Sequence, residues 1–202
     1  MEPFTNVRGA AAPMLSANID TDVIMPKQFL KGIDRSGLDK GVFHDLRFLP
    51  DGRKNPDFVL NQAPWYDAKF LVVGPNFGCG SSREHAVWGL RQLGIRALIG
   101  SSFAGIFFDN CKRNGVLLIE LTQEQVGGVG KSVSEEDAAV IEIDLPAQKI
   151  SLADGTTLDF AIDGLRKDAL VSGLDAIGGT LKLSDEIEQF ERRHFAARPW
   201  LS

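Results

Sequence analysis

This 202-residue sequence is poor in cysteine and histidine, and it has neither a long apolar run nor a basic tract. Its two cysteines, Cys79 and Cys111, lie far apart with no pairing pattern around them, which excludes a disulfide scaffold and fits a reducing, cytoplasmic setting. His44, His85 and His194 are dispersed without metal-ligand spacing, so no metal site is expected on this chain. No stretch approaches the ~20 consecutive apolar residues that a bilayer-spanning helix requires, so no membrane role is expected. The opening residues lack the charged-then-apolar order of a secretory signal. Lysine and arginine total 22 against 27 acidic residues, and no run of five basic residues occurs. A nucleic-acid surface is therefore not expected.

What is present is an ordinary globular composition, 44% hydrophobic and 24% charged, with enough apolar residues for a core. No linker divides the chain, and residues 1–202 read as a single domain. Its most regular section alternates strands and helices. A strand at 69–73 leads to a helix at 83–93, closed by Gly94. A strand at 96–99, a helix at 103–113 closed by Asn114-Gly115, and a strand at 116–121 follow. This βαβ alternation predicts an α/β fold with a mostly parallel sheet and flanking helices. Residues 141–162 then read as two or three strands with a hairpin turn at Asp154-Gly155, an antiparallel annex. Helices over 163–172 and 184–196 complete the chain.

The junction between the first strand and the first helix, Gly74 to Leu90, carries the chemistry. Ser81-x-x-Glu84 reads first as a capping box, in which the Ser81 hydroxyl accepts from the Glu84 N–H and the Glu84 carboxylate reaches back. A cap needs one polar residue. It leaves unexplained the lead-in of Asn76, Phe77, Gly78, Cys79 and Gly80, and a second serine. Glycines there free backbone N–H groups at the positive end of a helix dipole, which makes an anion site. Arg83 would be disfavoured in a first turn unless an anion offsets it, and its fork suits a carboxylate. No lysine follows the glycines as in a P-loop, and Arg83 stands where the dinucleotide fingerprint needs glycine. A carboxylate ligand is therefore favoured over a nucleotide. Oriented N–H groups and a guanidinium would also stabilise a serine alkoxide, as an oxyanion hole does. A non-catalytic anion-binding module remains the alternative.

Asn76-Phe77-Gly78-Cys79-Gly80-Ser81-Ser82-Arg83-Glu84-His85-Ala86 resembles the signature of the aconitase superfamily's swivelling domain, a β/β/α fold. Asn18-Ile19-Asp20-Thr21-Asp22 with Pro26-Lys27-Gln28-Phe29-Leu30 is similar to an N-terminal motif of the 3-isopropylmalate dehydratase small-subunit family. Ser102-Phe103-Ala104 through Asn110, Gly173-Leu174-Asp175 and Arg198-Pro199-Trp200-Leu201 also resemble that family.

The resemblance implies a lyase of leucine biosynthesis that removes water from a 2-hydroxy dicarboxylic acid and returns it at the neighbouring carbon. It implies a [4Fe–4S] cluster as Lewis acid, and two cysteines are too few to hold one. The cluster is therefore expected on a large-subunit partner, with none bound by this chain. By motif position, Ser81 matches the catalytic base. Ser82 and Arg83 match carboxylate-binding residues, and Thr21 and Asp22 face the site. Leu30 and Ile33 fall in the loop associated with the substrate's distal group. Val87, Gly105 and Leu118 depart from the family pattern and leave open a paralogue acting on citramalate or a substituted maleate.

Overall fold

The structure, a computed structural model, describes residues 1–30 and 35–201. Seven strands form one sheet among the described residues: β1 (Asn6–Met14), β2 (Phe70–Val73), β3 (Ala97–Gly100), β4 (Leu117–Glu120), β5 (Val140–Asp144), β6 (Lys149–Ser151) and β7 (Thr157–Asp159). Their order is β4-β3-β2-β1-β5-β6-β7. The pairs from β4 to β1 are parallel, and those from β1 through β5 and β6 to β7 are antiparallel. The expected parallel sheet with an antiparallel annex is thus one continuous sheet, with β1 joining the two halves.

The short apolar runs are strands because both faces of the sheet are covered. Leu71, Val73, Leu98 and Leu118 point into one core, and Phe70, Val72, Ile99 and Ile119 into the other, all at most 3% exposed. The first core packs under α1 (Thr21–Ile24), α3 (His85–Leu93) and α4 (Gly105–Asn114), with α2 (His44–Arg47) outside it. The second packs under α5 (Gln123–Val133) and α6 (Gly164–Ser172). The remaining helices, α7 (Ala176–Leu181) and α8 (Ser184–Ala197), bury no side chain. Gly94, Gly115 and Gly173 end their helices with positive φ, as left-handed caps. Gly155 turns between β6 and β7 at φ 86°.

Two elements were not anticipated from the sequence. β1, NVRGAAAPM, is a central strand despite low β propensity, because close packing on both faces selects small residues: Ala11 and Ala12 are fully buried. A Cβ on Gly9 would stand 2.4 Å from the Lys69 side chain, so β1 needs glycine there. α5, QEQVGGVGKSV, forms despite three glycines. The reciprocal bonds of Thr122 and Gln125 cap it, and Val126, Val129 and Val133 are buried on its inner face.

Parallel neighbours end at the same edge of a sheet. The loops after β1, β2 and β3 therefore leave together from the carboxyl ends, where open α/β sheets bind ligands. Isolated parallel bridges, Asp20 to Cys79 and Phe77 to Phe103, extend this pairing into the loops themselves.

Candidate active site

The loop after β2 is held on two sides. From the loop after β1, the Ile19 carbonyl accepts from Gly78 N (2.8 Å) and Thr21 N donates to the Cys79 carbonyl (2.8 Å). On the other side, Asn76 N donates to Ser102 Oγ (2.9 Å) and Ala104 N to the Phe77 carbonyl (3.0 Å). Gly78 sits at φ 77° under the Phe107 ring, and a Cβ there would stand 2.2 Å from Phe107 Cγ. Both the backbone angle and the space demand glycine.

Thr21 makes the central contact. Its hydroxyl accepts from Ser81 N (3.1 Å) and donates to the Ser81 carbonyl (3.0 Å), while Thr21 itself is only 1% exposed. One buried side chain thus holds both peptide groups of Ser81, whose side chain lies at the exposed surface with Ser82. Arg83 is half-buried and pairs through Nη1 with Asp22 Oδ1; Asp22 also lies 3.9 Å from Lys27 Nζ. The N-terminal motif therefore supplies Thr21 to Ser81 and Asp22 to Arg83. Leu30 is half-buried against the first core, and Ile33 lies outside the described residues.

The expected Ser81–Glu84 capping box does not form. α3 begins at His85, its N-cap Glu84 has helical angles, and no side-chain cap bond is made. Tertiary partners displace the local ones: Thr21 holds the Ser81 backbone, and Glu84 Oε1 accepts from Asn114 Nδ2 (2.6 Å). Arg83 accordingly precedes the helix instead of lying in its first turn. The free amides are also fewer than the glycines suggest. Those of Asn76, Phe77, Gly78 and Ser81 are consumed by the fold, leaving those of Cys79, Gly80, Ser82, Arg83 and Glu84 without an acceptor among the described residues.

Sequence reasoning missed the support from α4. Asn114 bonds Glu84 and also accepts from Trp88 Nε1 (3.0 Å), and Asn110, 5% exposed, directs Nδ2 at the Ser82 carbonyl (3.4 Å). The sequence signal at Asn114 was only that of a helix end before Gly115. A side chain reaching back 30 residues has no local signature.

Known proteins place the chain in a family. Residues 1–124 match the aconitase C-terminal domain family, and residues 177–202 match the C-terminal domain of the 3-isopropylmalate dehydratase small subunit. The chain is 59% identical, over 100% of its length and 99% of the relative's, to 3-isopropylmalate dehydratase small subunit 1 of Mannheimia succiniciproducens. It is 55% identical, over 100% of its length and 96% of the relative's, to small subunit 2 of Salmonella typhimurium. A crystal structure of 3-isopropylmalate dehydratase from Methanocaldococcus jannaschii superposes with a TM-score of 0.68 at 26% identity, over 93% of this chain and 99% of that one. Motif, fold and full-length similarity converge: the chain belongs to the 3-isopropylmalate dehydratase small-subunit family of the aconitase superfamily.

Proposed function

We propose that this chain is the small subunit of a hydro-lyase that isomerises 2-isopropylmalate to 3-isopropylmalate, with Ser81 as the base. The observation that carries the reading is the double clamp of Thr21 on the backbone of Ser81, an exposed serine two residues before an Arg83 held by Asp22. As an alkoxide, Ser81 takes the proton from the carbon next to the hydroxyl-bearing one. The C–H electron pair forms the double bond as hydroxide leaves. The return step adds water with the opposite orientation: the oxygen goes to the carbon that lost the proton, and Ser81 delivers a proton to its neighbour. Arg83 and the free amides of Ser82 and Glu84 favour the anionic serine and a substrate carboxylate. Asp22 orients Arg83, and Thr21 acts through Ser81.

The residues of this chain do not fit a [4Fe–4S] cluster. Cys111 is fully buried in the core, where burial pushes its thiol pKa up and disfavours the thiolate a cluster needs. We assign the cluster, a Lewis acid for the departing hydroxyl, to a large-subunit partner. Two features support such a partner. Ser81 and Ser82 stand at an open surface, and the C-terminal segment exposes Leu181, Phe190 and Trp200 at 65%, 58% and 76%. No helix of the described residues is long and apolar enough to cross a membrane, and two unpaired cysteines suit the cytoplasm. The test is Ser81→Ala in the reconstituted two-subunit enzyme. Turnover is lost while assembly persists, and near-normal activity would remove Ser81 as the base.

A further inference from the structure

The capping box spelled by Ser81-x-x-Glu84 is blocked at both halves, and each block bears on the reaction above. A closed box would make Ser81 Oγ accept from Glu84 N and draw the Glu84 carboxylate back over the Ser81 N–H. It would spend the hydroxyl assigned as the base and set a fixed carboxylate among the amides assigned to a substrate carboxylate. Thr21 Oγ1 takes the Ser81 N–H instead, at 3.1 Å. Asn114 takes the other half, its Nδ2 donating to Glu84 Oε1 at 2.6 Å. A strong local signal that the fold overrides is a mark of a functional position.

Asn114 is held in one orientation. Its Oδ1 accepts from Trp88 Nε1 (3.0 Å), and its Nδ2 donates both to Glu84 and to the Asn110 carbonyl (2.9 Å). A side-chain amide has two N–H donors, so both are used. Turned over, it would set its oxygen against the Glu84 and Asn110 oxygens and its NH2 against the indole N–H. Glu84, for its part, forms no ion pair among the described residues, because Arg83 beside it pairs with Asp22. A half-buried carboxylate is thus held by a neutral amide alone. Released, it has the acceptor-free amides of Ser82, Arg83 and Glu84 in its own segment to turn to. We propose that Asn114 is a positioning residue that keeps Glu84 out of the substrate-carboxylate site, and that without it Glu84 acts as a built-in competitor. The proposal rests on the reading of Ser81 and its neighbouring amides given above.

A site closed by its own carboxylate binds no diacid, so the apparent KM rises by the reciprocal of the open fraction while kcat at saturation is unchanged. A misplaced Ser81 would instead lower kcat. The test is steady-state kinetics of the reconstituted two-subunit enzyme with 2-isopropylmalate. Asn114→Asp keeps the side chain's shape and the acceptor for Trp88 but sets a second carboxylate against that of Glu84. KM rises about tenfold and kcat stays within about twofold of the wild type. Asn114→Asp/Glu84→Gln reverses donor and acceptor in the same bond, and KM returns to within about threefold of the wild type. Asn114→Ala, which removes the hold without adding charge, gives a smaller rise that Glu84→Gln also lowers; it carries the test if Asn114→Asp does not assemble. A merely structural Asn114 would give losses that neutralising Glu84 leaves in place. Wild-type KM in both Asn114 variants, a fall in kcat at unchanged KM, or a raised KM that Glu84→Gln does not lower would each overturn the proposal and leave the assignment of Ser81 standing. Near-normal turnover in Ser81→Ala would instead remove that assignment, and the proposal with it.

Discussion

Replacing Thr21 by valine keeps the shape of the side chain and removes only its hydroxyl. That hydroxyl makes two bonds to the Ser81 backbone, at 3.1 and 3.0 Å, from a position 1% exposed. At about 1 kcal/mol net per bond, Thr21→Val costs about 2 kcal/mol. For a chain of this length that lowers Tm by about 4–8 °C. The kinetic effect is larger in proportion, because a displacement of about 1 Å at a reacting group costs on the order of a hundredfold in rate. In the reconstituted enzyme, steady-state kinetics should show kcat reduced by about ten- to a hundredfold with little change in KM. Thr21→Ser, which restores the hydroxyl, should recover most of the rate. If Thr21 instead touched substrate directly, KM would rise and carry the loss. A Thr21→Val enzyme with wild-type kcat and Tm would refute the clamp.

Gly78 and Gly80 both have positive φ yet should respond differently to alanine. Gly78→Ala drives a Cβ into the Phe107 ring and loses about 2–4 kcal/mol in urea unfolding, whereas Gly80→Ala meets nothing closer than 3.4 Å and loses about 1 kcal/mol; equal losses would contradict the packing described. Cys111 keeps its proton in the folded chain because burial raises its pKa, while the unfolded thiol ionises near about 8.5. Above that pH the unfolded state binds fewer protons, so stability falls as pH rises. Urea midpoints should decline from pH 7 to pH 9.5, less so in Cys111→Ala, and in a Cys79→Ala background a thiol reagent should react only as the chain unfolds. Rapid reaction of the folded chain would show that Cys111 is accessible.

The local elements were legible where pattern and packing coincide. Phe70–Val73, Ala97–Gly100 and Leu117–Glu120 are apolar runs because both sheet faces are covered, and Gly94 and Gly115 end helices for reasons visible in three or four residues. β1 and α5 were not legible. The alanines of β1, with Gly9 and Gly130, suit close packing against partners more than 50 residues away, and the buried valines of α5 carry it although Gly127 and Gly128 are exposed; both override a weak intrinsic preference for strand and helix.

The sequence by itself determined the class of fold, the serine–arginine junction and the shortage of thiols for a cluster, because each depends on residue type and short spacing. Only the tertiary structure decided what those residues do with one another. It unmade the capping box, spent four loop amides on the fold, joined Asp22 to Arg83, and assigned Thr21 and Asn114 as supports. The physical reason is that parallel strands bring their carboxyl-end loops together from distant parts of the chain. A hydrogen bond spanning 60 residues leaves no periodicity to read.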